Sequence, residues 1–346
     1  MAPSGAKARI TANLAAIRTA AAITSEGRAA TAEEQRVLSR WSSWGAVPAI
    51  FDETRDEYAA DRDQLRDLLT EQEYTAARRT TVNAHYTDPA YVTAIWNALQ
   101  DLGFAGGRVL EPGCGSGTFI GLAPAIAQMT GVELDPVTAR IAAALYPRAD
   151  IRAESFAETR YPAGFFDAAI GNVPFADVRL HDPRYNPGRH ALHNHFIVKA
   201  VELTRPGGMV AVLTSSFTMD GQNPAARREM HAAADLVGAV RLPSGAHRRT
   251  AGTEVVTDLL ILRRRAPDEA PGPDDWVGTE RIRLDGQVAR VNSYFVAHPN
   301  RVLGQLGVGH GMYGEATLLV RPDDLASTGD RLTGALAAVI TEAREN

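Results

Sequence analysis

The stretch Arg108-Val109-Leu110-Glu111-Pro112-Gly113-Cys114-Gly115-Ser116-Gly117-Thr118-Phe119 constrains this chain more than any other. Val109 and Leu110 read as the end of a buried strand, the three alternate glycines as a turn, and the apolar run from Phe119 to Met129 as a helix. Glycine lets a backbone take positive φ and come close to a ligand, which a side chain would prevent. Dinucleotide enzymes also use glycine-rich strand-to-helix turns. The next strand, Gly131-Val132-Glu133-Leu134-Asp135, narrows the choice. It carries an acid about 20 residues on, the spacing that suits a ribose diol.

Charge then selects the ligand class. Glu111 stands just ahead of the glycines, where a phosphate is repelled and a cation attracted. That points to S-adenosylmethionine, which has an ammonium and a sulfonium and no phosphate. The lone cysteine, Cys114, cannot form an internal disulfide, which fits a reducing compartment. Its place inside the turn suits a small side chain ahead of a nucleophile.

From 107 to 265 short apolar runs alternate with helical stretches. Strands are expected at 108–111, 130–134, 149–152, 166–170, 208–214, 236–241 and 256–263, giving a doubly wound, Rossmann-like α/β sheet. Ligands bind such sheets at the carboxyl ends of the strands, where the turns at 111–117, 133–135 and 171–175 fall.

The third of these turns is Ile170-Gly171-Asn172-Val173-Pro174-Phe175. An exocyclic adenine amine is a poor nucleophile because its lone pair is delocalised into the ring. Acceptance of both amine hydrogens, by the Asn172 oxygen and a backbone carbonyl, favours a tetrahedral nitrogen. Phe175 would stack on the base, which in duplex DNA must first rotate out of the helix. An ordinary strand-end turn is the plainer reading of the same residues.

The order of these motifs resembles an amino-type DNA adenine N6-methyltransferase, above all the methylase part of the helicase–methylase proteins of phages, plasmids and other mobile elements. The resemblance spans roughly residues 10–320. It rests on Trp44-Gly45, Asn83-Ala84-His85-Tyr86-Thr87, the glycine turn, Gly171-Asn172-Val173-Pro174-Phe175, His193-Asn194-His195-Phe196, Arg205-Pro206-Gly207-Gly208 and Gly252-Thr253. It implies that Asn172, Val173, Pro174 and Phe175 form the catalytic turn. Tyr86 and Thr87 would touch the methionine end of the cofactor, and Gly113 and Gly115 would line its path. Glu133 would take the ribose hydroxyls and Phe156 would lie against the adenine ring. Glu111, Gly117, Leu134 and Ser155 complete the expected cofactor set.

Three departures stand out. Val173 replaces the usual first proline, keeping a carbonyl while losing the fixed φ. Glu154-Ser155-Phe156 leaves open which residue meets the cofactor's adenine amine. Neither a long target-recognition domain nor a Walker lysine loop is present, which suggests the methylase piece alone. A separate helicase or specificity protein is then the expected partner, alongside DNA. Two other readings stay open: methylation of a protein glutamine or an RNA base, since the turn suits any planar amide or amine, and a non-catalytic binding module in restriction or anti-restriction biology.

After the catalytic turn, residues 179–190 form a polar, basic loop with one aromatic. A DNA-facing loop is favoured, with Arg179, Arg184, Arg189 and His193 as contacts. Arg227-Arg228 and His247-Arg248-Arg249 are further phosphate candidates, and Arg263-Arg264-Arg265 reads as a solvated strand end. A net charge of −5 excludes a protein coated in basic surface, though a local arginine cluster suffices for phosphates. His181, His190, His193 and His195 lack a cysteine or acid cluster at ligand spacing, so no metal is expected.

At 346 residues the chain has room for about two domains. A helical N-terminal extension is expected over 1–80, the methyltransferase domain over 81–265, a linker over 266–277 and a small β-rich extension ending in a helix over 278–346. Thr31-Ala32-Glu33-Glu34 is a capping box opening the second of two alanine-rich helices, and 53–79 is charged and helical. Trp41 and Trp44 read as packing ahead of a base-stacking platform. With no apolar run of ~18 residues and no signal-peptide pattern, a cytoplasmic protein is expected.

Overall fold

A computed structural model describes residues 3–80, 87–246, 256–310 and 316–345. Its centre is a sheet of β1 (Gly107–Pro112), β2 (Ala127–Glu133), β3 (Asp150–Ala153), β4 (Phe166–Asn172), β5 (Thr204–Ser215), β6 (Ala234–Arg241) and β7 (Thr257–Arg264). The strand order is β3-β2-β1-β4-β5-β7-β6. Neighbours from β3 to β5 run parallel, and β7 enters antiparallel between β5 and β6. Each of the seven expected strands overlaps an observed one. The unbroken run Leu259-Leu260-Ile261-Leu262 is buried throughout, as a strand covered on both faces requires.

Four helices precede the sheet: α1 (Ala6–Glu26), α2 (Ala32–Leu38), α3 (Ala59–Leu68) and α4 (Glu71–Thr80). α5 (Pro89–Asp101) leads into β1, α6 (Thr118–Gly121) and α7 (Pro136–Leu145) flank β2, and α8 (Leu192–Leu203) joins β4 to β5. α9 (Phe217–Asp220) and α10 (Ala225–Ala233) follow β5, while α11 (Ser293–Ala297) and α12 (Thr328–Glu345) come after β7. One face of the sheet packs on Phe196, Ile197 and Val201 of α8. The other packs on Val92, Ile95 and Leu99 of α5 with Leu332, Leu336 and Val339 of α12. A third core joins Ile10, Leu14 and Ile17 of α1 and Trp44 to Val137 and Ile141 of α7. Two antiparallel hairpins, β8 (Thr279–Leu284) with β9 (Gln287–Asn292) and β10 (Gln305–His310) with β11 (Ala316–Arg321), lie between β7 and α12.

Several expectations are corrected. The helix from Phe119 to Met129 is the single turn α6, after which Pro124 intervenes and the chain enters β2. Proline lacks the N–H a continuing helix needs, and the Tyr146 ring fills the space a Cβ on Gly117 or Gly121 would take. Residues 53–79 are largely helical as expected, in two helices, because Thr70 and Glu73 form a capping box that starts α4 anew. Arg227 is no phosphate ligand: it is buried, donating to the carbonyls of Val277, Thr218 and Gly221. Nor is the arginine run a solvated end, since Arg264 donates to the carbonyls of Val201 and Thr204 and Arg265 pairs with Asp235. Trp41 and Trp44 are both buried, edge to face at 5.8 Å. The capping box at Thr31 and Glu34 is present.

Candidate functional site

The glycine turn and the turn at residues 171–175 meet at the carboxyl edge of the sheet. Gly113 has φ 71°, and a Cβ there would stand 3.1 Å from Cδ of Pro174. Only a glycine relieves both constraints, so the close approach of the turns is written into that position. Gly115 and Gly117 also have positive φ, 55° and 83°. Cys114 is buried against Gly131, and burial pushes its thiol well above the usual range, with the Glu111 and Glu133 charges adding to it. A thiol so held is protonated and a poor nucleophile.

A cleft of about 530 Å³ opens above this edge, within the range of small-molecule sites. Glu111, Gly113, Gly115, Glu133, Leu134, Ser155, Phe156, Asn172, Val173, Pro174 and Thr87 all line it. Gly117 and Phe175 stand outside its lining, and Tyr86 lies outside the described residues. Glu133 accepts from the amides of Gly115 at 2.9 Å and Asp135 at 2.8 Å. Burial, and then the nearby Asp135 charge, push its carboxyl up to about 7. Glu111 is 2% exposed, and burial raises its carboxyl well above the usual range; one of its oxygens has no partner among the described residues. Asp135 caps α7 through the amide of Thr138, 3.1 Å away. Glu154 also lines the cleft, with a buried oxygen that has no partner among the described residues; sequence reasoning did not commit to it beside Ser155 and Phe156.

At the end of β4, Asn172 is half-buried and its Nδ2 donates to the Thr87 hydroxyl at 3.2 Å. Its Oδ1 is buried and accepts from nothing among the described residues. The Val173 amide donates to the Leu213 carbonyl at 3.0 Å, which holds the turn on β5. Phe156 is 3% exposed and packs on Phe196 with ring centres 4.8 Å apart. The residues present fit S-adenosylmethionine: acids suit its cationic groups and ribose hydroxyls, and three buried oxygens, on Glu111, Glu154 and Asn172, await donors.

The basic loop is anchored rather than loose. Asp182 is buried, accepts from Lys199 Nζ at 2.9 Å and lies 3.2 Å from His195 Nε2. Lys199 also donates to the Phe156 carbonyl at 2.5 Å. Arg179, Arg184 and Arg189 are exposed, Arg179 paired with Asp177 at 3.2 Å. His193 departs from the expected phosphate contact: it is 7% exposed, and burial lowers its imidazole to about 4, leaving it uncharged. Two of the histidines are held by acids, His190 by Glu229 at 2.6 Å and His195 by Asp182 at 3.2 Å. His247, Arg248 and Arg249 lie outside the described residues.

No family model matches the chain. Over 196 residues, 55% of the chain, it is 28% identical to defense against restriction protein B of Escherichia phage P1, covering 9% of that protein. Over 180 residues, 44% of the chain, it is 31% identical to type II methyltransferase M.XamI of Xanthomonas campestris pv. amaranthicola, covering 33% of it. The chain therefore spans about a tenth and a third of the lengths of these relatives. Among solved structures, the methyltransferase subunit of a type I restriction-modification system from Streptococcus thermophilus gives a TM-score of 0.45 at 13% identity, over 74% of this chain and 66% of that one. TrmN from Thermus thermophilus gives 0.34 at 22% identity, over 51% and 48%. The sheet is Rossmann-like with β7 reversed between β5 and β6, and the chain's sequence homologues include a phage defense-against-restriction protein and a type II methyltransferase.

Proposed function

We propose that the chain is a DNA methyltransferase that methylates adenine N6 of a base rotated out of the duplex. The observation that carries this reading is the buried, unpartnered Oδ1 of Asn172, held beside the acid-lined cleft by the Thr87 hydroxyl. When bound, S-adenosylmethionine supplies an electrophilic methyl on a positively charged sulfur. Glu133 would accept the ribose hydroxyls, and Glu154, which also lines the cleft, would accept from the cofactor's adenine amine. Asn172 Oδ1 accepts one hydrogen of the target amine and the Val173 carbonyl the other. Holding both hydrogens draws the nitrogen lone pair out of the ring, a gain realised mainly in the transition state. Phe175 stacks on the base. An amide does not ionise, so Asn172 leaves the amine proton to water. The exposed arginines of the loop at 179–190 contact phosphate, and a helicase or specificity protein supplies further recognition.

The test is incorporation of labelled methyl into DNA, RNA and protein, with S-adenosylmethionine binding measured beside it. Parent protein should label DNA at adenine N6. Asn172→Ala should keep cofactor affinity and lose at least 10²-fold in transfer, the scale of a removed transition-state hydrogen bond. Label in RNA or in protein glutamine would replace the substrate. Equal transfer by parent and variant, zero included, would reduce the chain to a binding module.

A further inference from the structure

We propose that Arg79 is the counter-ion for the carboxylate at the methionine end of the cofactor, so that the N-terminal helices complete the cofactor site. The inference rests on the S-adenosylmethionine reading above. Ser43, Ala76 and Arg79 line the same cleft as the glycine turn and Asn172. All three come from the helical segment ahead of α5, which sequence reasoning set apart from the cofactor.

This wall is held in place from two sides. Glu73 of α4 forms an ion pair with Arg140 of α7, the helix that Asp135 caps beside Glu133. Ser43, a non-glycine residue at φ 52°, is fixed by the fully buried Asn13 of α1. The Asn13 Nδ2 donates to the Ser43 carbonyl at 2.6 Å, and its Oδ1 accepts from the Ser42 amide at 2.9 Å.

Charge accounting then singles out Arg79. The described lining carries four acids, Glu111, Glu133, Asp135 and Glu154, and one permanent cation, Arg79. The cofactor brings an ammonium, a sulfonium and a carboxylate. The acids suit the two cations, while the carboxylate entering among them needs a positive partner. Arg79 is exposed, and among the described residues no carboxylate pairs with it. A guanidinium can bind a carboxylate with two parallel N–H donors.

The experiment compares S-adenosylmethionine with its decarboxylated form, which keeps both cations, by calorimetry on the full chain and on Arg79→Met. Parent should prefer the carboxylated cofactor by about 10- to 100-fold, the worth of one charge-assisted hydrogen-bonded pair. Arg79→Met should lose that factor for S-adenosylmethionine and bind the decarboxylated form as the parent does. Equal loss for both ligands, or no loss for either, overturns the proposal; so does an unchanged cofactor affinity with weakened DNA binding, which would place a phosphate at Arg79. Should the parent bind neither ligand, the cofactor reading itself falls. An unaltered thermal melt for Arg79→Met shows that the exposed substitution leaves the fold intact.

Discussion

At the scale of single residues, Glu133 carries the most testable chemistry. Burial raises its carboxyl from 4.5 to about 7, so the folded protein holds this proton more tightly than the unfolded chain. The sign follows: stability falls as pH rises from the ordinary carboxyl range through about 7, by at most about 3 kcal/mol. Glu133→Gln should remove that slope in urea titrations, while giving up one of the two backbone hydrogen bonds, since an amide has a single acceptor oxygen. With Glu133 as the proposed ribose acceptor, ligand binding should run the other way, because the ionised carboxylate is the stronger acceptor for hydroxyls. The parent's affinity for S-adenosylmethionine should therefore weaken as pH drops from 7 to 5.5, and calorimetry should find this part of the pH dependence absent in Glu133→Gln. An identical pH profile for the two proteins would remove Glu133 from the ribose.

At the scale of elements, the loop after the turn at residues 171–175 is tied to α8 and to the cleft by one buried group. Burial opposes ionisation of Asp182, yet the Lys199 ammonium holds its carboxyl below the usual range. Lys199 in turn anchors the carbonyl of Phe156, which lines the cleft. Lys199→Met leaves a buried carboxylate without its cation and should cost about 3–5 kcal/mol in denaturant unfolding. Adding Asp182→Asn should restore part of that loss, since no uncompensated charge remains. The glycine turn offers a second case. Gly113→Ala demands positive φ from alanine and crowds the Pro174 ring, so both turns must shift. Cofactor affinity and methyl transfer should fall together, whereas Asn172→Ala spares affinity.

At the scale of the whole molecule, a net charge of −5 sets the terms for the proposed DNA substrate. Affinity must come from local arginines, so it should be weak and fall steeply with salt. Charge reversal at Arg184 and Arg189 should lower it further and flatten the salt dependence; DNA binding equal to the parent's would remove this loop from the interface. The last helix belongs to the same molecular body as the sheet, since Leu332, Leu336 and Val339 of α12 share a core with α5 and β7. Leu336→Ala should cost about 2–5 kcal/mol of global stability. Loss of α12 signal alone, with the sheet's melt unchanged, would count against a shared core.

The seven strands, the three turns at their carboxyl ends and the capping box at Thr31 were legible in the sequence, because each is written locally: alternating apolar runs, glycines between strand and helix, a threonine three residues before a glutamate. That Glu133 shares a cleft with the glycine turn was legible for the same reason, through its spacing from that turn. Local pattern also misled where a single proline outweighed it, as Pro124 did after Phe119. What only the tertiary structure decided is which polar groups lose water. Arg227, His193 and the paired Lys199 and Asp182 look like surface charges in a list of residues, yet packing against α8, α10 and the sheet buries them. The placing of Ser43, Ala76 and Arg79 in the cleft is of this kind too: it depends on where α1 and α4 dock on α7, a long-range contact that no stretch of neighbouring residues encodes.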